Sequence, residues 1–207
     1  MTVETRAEQI LEWVRAAGAT GDVIVDQGES LSLKARDGAL EEHKVSSSQV
    51  FGLRVIKDDK VGTAYSEAAD PEALKSMVDQ ALQNAAFARA EVSEKIPDSQ
   101  LTLSTDDAVF CPEDSTSIEA KIDAALAIER LLSSRDRVQN VPYNGLQDNA
   151  GQRQVFTTAG LSARSRSRMF ACFAHALMVD GEHNAMEGAG QAGRQFADLD
   201  INHLVDE

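Results

Sequence analysis

Zinc hydrolases need three or four side chains that converge on the metal, and their commonest sequence sign is a histidine pair one helical turn apart. The chain has four histidines, none with another histidine within five residues: His43, His175, His183 and His203. Acidic residues directly precede only two of them, at 41–42 and at 182. Such residues are usually solvated positions of strands and loops, so the sequence predicts no zinc site.

No nucleophile is arranged for covalent catalysis either. The chain has no Gly-x-Ser-x-Gly motif, and neither Cys111 nor Cys172 has an obvious histidine partner in the sequence. Cys172 lies in an apolar stretch beside Phe170 and Phe173, which favours an inert thiol in the core. We therefore predict no catalytic, cofactor-binding or metal-binding residue in this chain.

The run GAGQAG at 188–193 matches the dinucleotide-binding fingerprint letter for letter. That fingerprint works only where a strand precedes it, a helix follows it and an acidic residue stands about 20 positions further on. Here residues 181–187 are polar and turn-like, Asp198 and Asp200 interrupt the following segment, and the chain ends too early to supply the acid. The pattern favours a strand or loop of small residues that another backbone passes closely.

Three arginines alternate with serines at Arg164, Arg166 and Arg168. In a strand this spacing places all three side chains on one face. Arginine binds carboxylates through paired hydrogen bonds, so the stripe could dock a peptide carboxylate or an acidic partner surface. The alternative is a solvent-exposed face balanced by nearby acids. These arginines are the only contact residues that the sequence suggests for a peptide or a partner.

The whole chain is strongly acidic, with a formal net charge of −14 over 207 residues. A surface of that sign repels phosphate backbones and anionic membranes, which argues against direct nucleic-acid or membrane binding. Residues 1–14 include four charged side chains instead of the apolar stretch of a signal peptide, and no stretch approaches the roughly 18 apolar residues of a membrane span. Two widely separated cysteines fit a reducing compartment, so we expect a cytoplasmic protein.

Apolar spacing predicts that the first part of the chain folds as a helix, four or five antiparallel strands and a second helix. The first helical pattern ends at Gly18, and Asp37-Gly38 is a hairpin-turn dipeptide. Asp70-Pro71 starts the second helix, with Asp as the N-cap, and this helix reaches about residue 90. Alternating residues predict strands at 22–27, 31–35, 40–45, 50–56 and 61–65.

The second part of the chain repeats this order of elements with hardly any residue identity. Residues 91–112 contain Pro97 and Pro112 but no sustained apolar pattern, which indicates a linker. A helix follows, with capping-box spacing at Thr116 and Glu119. Further strands are predicted at about 138–143, 153–158 and 163–179, with a last segment near 191–196.

The predicted fold class is therefore α+β: an antiparallel sheet flanked by two helices, followed by a second, incomplete helix-plus-antiparallel-strand unit. The predicted domains are 1–92 and 114–207, joined by a linker at 93–113. The last residues begin a helix-like spacing that is too short to bury much surface. We expect the second domain to continue in a longer protein.

Over about residues 5–90, the order and spacing of several segments resemble the TldD/PmbA family. No one of these segments is specific for the family by itself, but their order and spacing together are. They are the helix-to-strand segment at 17–25, the hairpin SLSLKARDGALE at 30–41, the segments FGLRV at 51–55 and KVGTAYS at 60–66, and the helix that begins DPEAL at 70. Residues 115–200 resemble the family more loosely, through a helix, the turn TAGL at 158–161 and the long strand after it.

The resemblance implies a cytoplasmic peptidase that degrades unfolded or extended peptides and matures some peptide antibiotics; modulator of DNA gyrase is an older label of the same family. TldD-type subunits hold zinc on a His-Glu-x-x-x-His helix, whereas PmbA (TldE)-type subunits lack that motif and pair with the zinc subunit. The amino-terminal strands of this chain look more PmbA-like. We therefore expect the amino-terminal part of a PmbA/TldE-type subunit, with zinc in the catalytic subunit and none in this chain.

The implied partners are a TldD-type catalytic subunit or a second copy in a homodimer, and the implied substrate is an unfolded peptide. The zinc element would lie beyond Glu207 in either subunit type, so the TldD type remains open. Two other hypotheses also remain: a non-catalytic peptide- or protein-binding module of the same family, and a nucleotide-binding enzyme that depends on the glycine run alone.

Overall fold

The computed structural model describes residues 1–97 and 101–207, and it has the predicted α+β fold. The helices are α1 (Val3–Ala16), α2 (Pro71–Phe87), α3 (Asp107–Phe110), α4 (Ile118–Ser133) and α5 (Ile201–Asp206), with a 3₁₀ helix at Phe196–Asp198. The strands are β1 (Thr20–Arg36), β2 (Ala39–Lys57), β3 (Lys60–Ser66), β4 (Thr102–Ser104), β5 (Val138–Thr157), β6 (Ser162–Asp180) and β7 (His183–Gly193). None of these helices has the length and apolar character that a membrane crossing requires.

The strands form one sheet in the order β3-β2-β1-β5-β6-β4, and β7 also pairs with β6. The β2–β3 and β6–β7 pairs are antiparallel, as predicted. The short strand β4 is an exception, since it pairs in parallel with the start of β6. Both β4 and α3 lie within residues 93–113, where the sequence indicated only a linker.

Packing divides the chain into two compact units that interleave in sequence. The first unit is Met1–Gly28, Ser48–Thr105 and Gly151–Arg166, and the second is Glu29–Ser47, Asp106–Ala150 and Ser167–Glu207. Residues Glu29–Ser47, the end of β1 and the start of β2, belong to the second unit. There buried Leu33 packs with Ala125 and Leu146. The predicted domains, 1–92 and 114–207, are each one continuous stretch of sequence. The packing units divide the chain differently, because each is made of three separate segments.

The first unit buries one face of its strands under α1 and α2. Asp70 Oδ1 caps α2 by accepting the Ala73 N–H at 3.0 Å, as predicted. Thr2 Oγ1 caps α1 by accepting the Thr5 N–H, a cap that was not predicted from the sequence. The apolar sides of both helices meet alternate strand residues in a core that contains Ile10, Leu11, Val14, Val23, Val25, Phe51, Val55, Met77, Val78 and Ala81. Burial of this size is the main force that holds the helices on the strands.

The second unit has α4 and α5 packed on β6 and β7. Ser117 caps α4 through its hydroxyl, which accepts the Ala120 N–H at 3.2 Å. The predicted capping box at Thr116 and Glu119 was therefore wrong by one residue. Thr116 instead donates its N–H to Asp114 Oδ1 at 3.1 Å, which leaves Ser117 to begin the helix. The apolar core of this unit contains Ile128, Val141, Cys172, Ala174 and Leu204.

Candidate peptide and partner contact site

Arg168 lies in a cluster of four charged side chains in the second unit, Asp114, Lys121, Asp148 and Arg168, called here the four-charge cluster. Lys121 Nζ donates to Asp114 Oδ2 at 2.6 Å and to Asp148 Oδ2 at 2.7 Å. Arg168 donates to the two oxygens of Asp148 from Nε at 3.0 Å and from Nη2 at 2.8 Å. The side chains of Asp114, Lys121 and Asp148 are 7%, 8% and 9% exposed. Two positive and two negative charges thus balance in the interior.

The ring of Phe170 forms the apolar side of the four-charge cluster. Lys121 Nζ lies 5.2 Å and the Arg168 guanidinium carbon 4.9 Å from the ring centroid. Phe170 is fully buried, and the ring of Phe196 meets it edge to face at a centroid distance of 6.0 Å. Because a cation is attracted to the face of an aromatic ring, Phe170 helps to hold both cations in position.

The ion pairs outweigh burial in setting the pKa values of this cluster. Burial alone would raise the pKa of Asp114, but hydrogen bonds from Lys121 and Thr116 hold that pKa below its ordinary value. Burial alone would lower the pKa of Lys121, but its bonds to Asp114 and Asp148 raise that pKa above its ordinary value. Both groups are therefore charged in the folded protein at neutral pH.

The three arginines of the predicted stripe, Arg164, Arg166 and Arg168, thus differ in their exposure and surroundings. Arg168 is 19% exposed, and its hydrogen bonds go to acidic residues of its own unit. Nearby acids balance it, as the alternative interpretation expected, but they do so in the interior and not on a solvent-exposed face. Arg164 is exposed and Arg166 half-buried, and each makes interactions within the protein. Docking of a peptide or partner on these arginines stays a prediction.

A groove of about 950 Å³ opens on the first unit, and we call it the first-unit groove. Its apolar lining residues are Ile24, Leu53, Tyr65, Pro97, Val155 and Leu161. Tyr65 is 73% exposed, although it is a large aromatic residue. Arg54 forms one polar wall, donating to Asp22 Oδ2 from Nε at 3.0 Å and to Glu94 Oε2 from Nη1 at 3.0 Å. Apolar surface beside fixed polar groups is the usual lining of a binding site.

The described part of the chain contains no set of side chains that could bind zinc. Among residues 1–97 and 101–207, no three His, Cys, Asp or Glu side chains come together in a way that could hold a metal ion. His203 has an acidic neighbour, Glu207, but this is a single exposed pair at 3.2 Å. The described residues therefore do not fit a zinc ion, which the family resemblance assigns to the catalytic subunit.

The glycine run at 188–193 is part of strand β7, where its residues pair with 170–175 of β6. A dinucleotide-binding motif would need these glycines in a turn between a strand and a helix. Of the predicted strand or loop of small residues, the structure shows the strand. The prediction that residues 181–187 are turn-like was wrong for 183–187, which form the first part of the same strand. A Cβ at Gly188 would lie 2.2 Å from Nδ1 of His175, so a larger residue there would have to displace the exposed His175 ring.

Cys172 is buried in the core of the second unit, with 1% of its surface exposed. Burial raises the pKa of its thiol, which lowers the fraction of reactive thiolate. Cys111 is also a buried free cysteine. These surroundings agree with the predicted inert core thiol at Cys172.

Sequence reasoning missed three members of the four-charge cluster, Asp114, Lys121 and Asp148. One signal was present, because Lys121 precedes buried Ala125 by one helical turn and Ile128 by two, so it lies on the apolar stripe of α4. A lysine on such a stripe needs a buried acidic partner. The sequence could have indicated that a partner exists, but not which acid it is.

Two family models match the chain in consecutive order. The model described as PmbA/TldA metallopeptidase domain 1 matches residues 21–85, and the model described as PmbA/TldA metallopeptidase central domain matches residues 111–207. No curated protein sequence matches the chain. Together the two family models cover most of its length.

Solved structures of low sequence identity share the fold. TldE from Thermococcus kodakarensis is 15% identical with a TM-score of 0.79, over 97% of this chain and 46% of that one. A protein described as a proposed modulator of a DNA gyrase, from Thermotoga maritima, is 17% identical with a TM-score of 0.76, over 99% of this chain and 46% of that one. A similarly described protein from Bacteroides thetaiotaomicron is 13% identical with a TM-score of 0.81, over 98% and 47%.

The chain thus spans about half the length of these structures, and the match to them concerns the fold. The family models add sequence evidence over two successive domains. The chain belongs to the PmbA/TldD metallopeptidase family.

Proposed function

We propose that this chain is the amino-terminal part of a PmbA/TldE-type subunit of a dimeric, cytoplasmic zinc peptidase that acts on unfolded or extended peptides. The observation that carries the proposal is the match to the first and central domains of the family, in that order. The PmbA-like amino-terminal strands favour this subunit type, and TldE shares the fold of the chain. Zinc in this proposal belongs to a TldD-type catalytic subunit, which is the partner.

In this proposal the chain binds and orients the substrate and takes no part in bond cleavage. The first-unit groove offers exposed apolar surface at Tyr65 and Ile24, which suits the apolar side chains of an unfolded peptide. Arg54 keeps its charge paired with Asp22 and Glu94, so an apolar side chain that enters does not strand an unpaired cation. A folded protein buries such apolar side chains and would not present them.

Complementation of activity tests this proposal. We expect the 207-residue chain alone to cleave no unfolded casein, and a TldD-type catalytic subunit to cleave faster when a complete PmbA/TldE-type subunit containing these residues is added. The increase should disappear with a zinc chelator. A catalytic subunit whose rate is the same with and without its PmbA/TldE-type partner would contradict the proposal.

A second candidate function is a non-catalytic peptide-binding module of the same family. The size of the first-unit groove and the exposure of Tyr65 favour it. In this case a fluorescent unfolded peptide should bind the chain alone, and Tyr65→Ser should weaken binding by about tenfold, because large aromatic side chains dominate binding energy.

The matched control for this second candidate is the other tyrosine of the chain. Tyr143 is 58% exposed in the second unit, so Tyr143→Ser should leave peptide binding unchanged. Fluorescence anisotropy measures both variants. Equal weakening by the two substitutions, or no binding by the unmodified chain, would rule out the groove as the binding site.

A further inference from the structure

The polar wall of the first-unit groove has more negative than positive charge. Arg54 donates to two carboxylates, from Nε to Asp22 Oδ2 at 3.0 Å and from Nη1 to Glu94 Oε2 at 3.0 Å. At neutral pH the guanidinium carries one positive charge and the two carboxylates carry two negative charges. The hydrogen bond to Asp22 raises the pKa of Arg54, which is the effect of an ionised acceptor. One negative charge of this wall is therefore not compensated by Arg54.

Asp22 has a carboxylate oxygen that is available to a ligand. Both hydrogen bonds from Arg54 to Asp22 go to Oδ2, and no other donor in the described part of the first unit bonds to this carboxylate. Asp22 is only 7% exposed, yet it lines the groove. Its Oδ1 is not one of the oxygens that are sealed from solvent without a partner. Oδ1 is thus a fixed acceptor that a donor entering the groove would meet.

We propose that the first-unit groove binds a lysine side chain of an unfolded peptide, with the lysine ammonium on Asp22 Oδ1. This inference rests on the proposed peptide-binding function of the groove and names the residue type that the groove recognises. A lysine side chain packs its apolar stem on apolar surface while its ammonium reaches a polar group. Ile24 and Leu161 in the lining offer that apolar surface. The bound ammonium would compensate the remaining negative charge of the wall.

The single free oxygen favours lysine over the other charged groups of a peptide. Arginine binds a carboxylate best through paired hydrogen bonds to both oxygens, and Arg54 already occupies Oδ2 of Asp22. An amino-terminal ammonium has no apolar stem to pack in the groove. A peptide carboxylate could approach the remaining N–H groups of Arg54, but the uncompensated negative charge would repel it.

Fluorescence anisotropy with four unfolded peptides tests the preference on the unmodified 207-residue chain. The peptides have acetylated amino termini and a label at the carboxyl end, and they differ at one central position, which is lysine, arginine, norleucine or glutamate. Norleucine has the same four-carbon stem as lysine but no charge. We expect the lysine peptide to bind about tenfold more tightly than the norleucine peptide, because hydrogen bonds to charged groups are the strong ones. The arginine peptide should fall between these two, and the glutamate peptide should bind most weakly.

Two variants remove the uncompensated charge in different ways. Asp22→Asn removes the charge of the acceptor itself, and Glu94→Gln leaves Arg54 to neutralise Asp22 alone. Each should reduce the preference for lysine over norleucine from about tenfold to about twofold or less. The Glu94 side chain is 41% exposed, so Glu94→Gln keeps the test decisive even if Asp22→Asn fails to fold.

Asp26→Asn is the matched control, because it changes the net charge of the chain by the same amount. Asp26 lies four residues after Asp22 on β1, and alternation places the two on the same face. Both of its oxygens already accept hydrogen bonds from Arg153, at 2.7 Å and 2.8 Å. Asp26→Asn should therefore keep the tenfold preference for lysine. An equal loss of preference in Asp22→Asn and Asp26→Asn would overturn the inference, since the overall charge would then explain the preference.

Failure of this inference can be told apart from failure of the proposed function. If the unmodified chain binds the lysine and norleucine peptides equally, lysine recognition is wrong and peptide binding stands. The inference is also overturned if a norleucine peptide with a free amino terminus binds as tightly as the lysine peptide. If none of the peptides binds, both the inference and the peptide-binding module are wrong, whereas complementation of the catalytic subunit is measured independently.

Discussion

Replacing Gly62 by valine should prevent the first unit from folding stably. Gly62 lies on β3 where α2 crosses it, and a Cβ at that position would be 2.0 Å from the Ala81 carbonyl oxygen and 2.4 Å from the Ala85 nitrogen. Both atoms belong to the helix backbone, so relief requires movement of α2 away from the strand. Forcing extra atoms into a packed core costs about 1–3 kcal/mol when side chains can adjust, and more when only backbone can move.

Urea unfolding followed by circular dichroism measures this effect. We expect Gly62→Val to lose about 4 kcal/mol or more, a large part of the stability of a typical domain. Gly52→Ala is the matched control on neighbouring β2. Apart from its two chain neighbours, its Cβ would meet within 4 Å only one atom of the described residues, the Ile24 carbonyl oxygen at 3.8 Å, which is an ordinary van der Waals contact. An unfolding midpoint for Gly62→Val that equals that of Gly52→Ala would show that α2 does not pack on β3 as described.

Lys121→Met should be the most damaging single change in the second unit. It removes the ammonium that donates to both Asp114 and Asp148, and it leaves Arg168 alone to balance two buried carboxylates. Removing one partner of a buried ion pair typically costs about 3–5 kcal/mol, because the remaining charge stays buried without compensation. Methionine has a similar length, so the loss of stability would measure the effect of the missing charge and not of altered packing.

Lys75→Met is the control for this second change. Lys75 pairs with Asp79 on exposed positions of α2, where such a pair contributes about 0.5 kcal/mol or less. Thermal unfolding of the two variants should therefore differ clearly. If Lys121→Met melts at the same temperature as Lys75→Met, the four-charge cluster does not hold the second unit together.

The same cluster should give the unmodified protein a defined pH range of stability. The pKa of Asp114 is lowered in the folded state, so its stabilisation is complete above about pH 4 and is lost as pH falls through that lowered pKa. The pKa of Lys121 is raised, so its stabilisation is complete below about pH 10 and is lost as pH rises through that raised pKa. In Lys121→Met the loss of stability at high pH should disappear, and the loss at low pH should become smaller because only the hydrogen bonds from Thr116 still lower the pKa of Asp114.

Local turn and cap signals predicted the first unit well. Asp37 and Gly38 adopt positive φ angles of 52° and 74°, as a hairpin turn of that sequence requires. Asp70 and Pro71 begin α2 where predicted, although the helix ends at Phe87. These signals succeed because a few neighbouring residues determine them.

Strand length could not be predicted in the same way. Separate strands were expected at 22–27 and 31–35, with residues 28–30 between them. In the structure β1 continues through them from Thr20 to Arg36. Since β1 lies between β2 and β5 in the sheet, its backbone groups have partners on both sides, and this pairing outweighs local preference.

The candidate site was predictable only in part. The spacing of Arg164, Arg166 and Arg168 was visible, but the bonds of Arg168 to Asp148 and Asp114 join residues far apart in sequence. The same holds for Arg54, whose partners Asp22 and Glu94 come from distant segments of the first unit. Long-range ion pairs depend on the tertiary fold, and no local pattern specifies them.

The central claim, that the residues of this chain do not supply the zinc site of the proposed peptidase, is tested most directly by measuring zinc content and peptidase activity on the same sample. The purified 207-residue chain is dialysed with zinc, then assayed for bound metal and for cleavage of unfolded casein with and without chelator. We expect no stoichiometric zinc and no chelator-sensitive cleavage. One zinc held per chain, together with cleavage that the chelator abolishes, would contradict the claim.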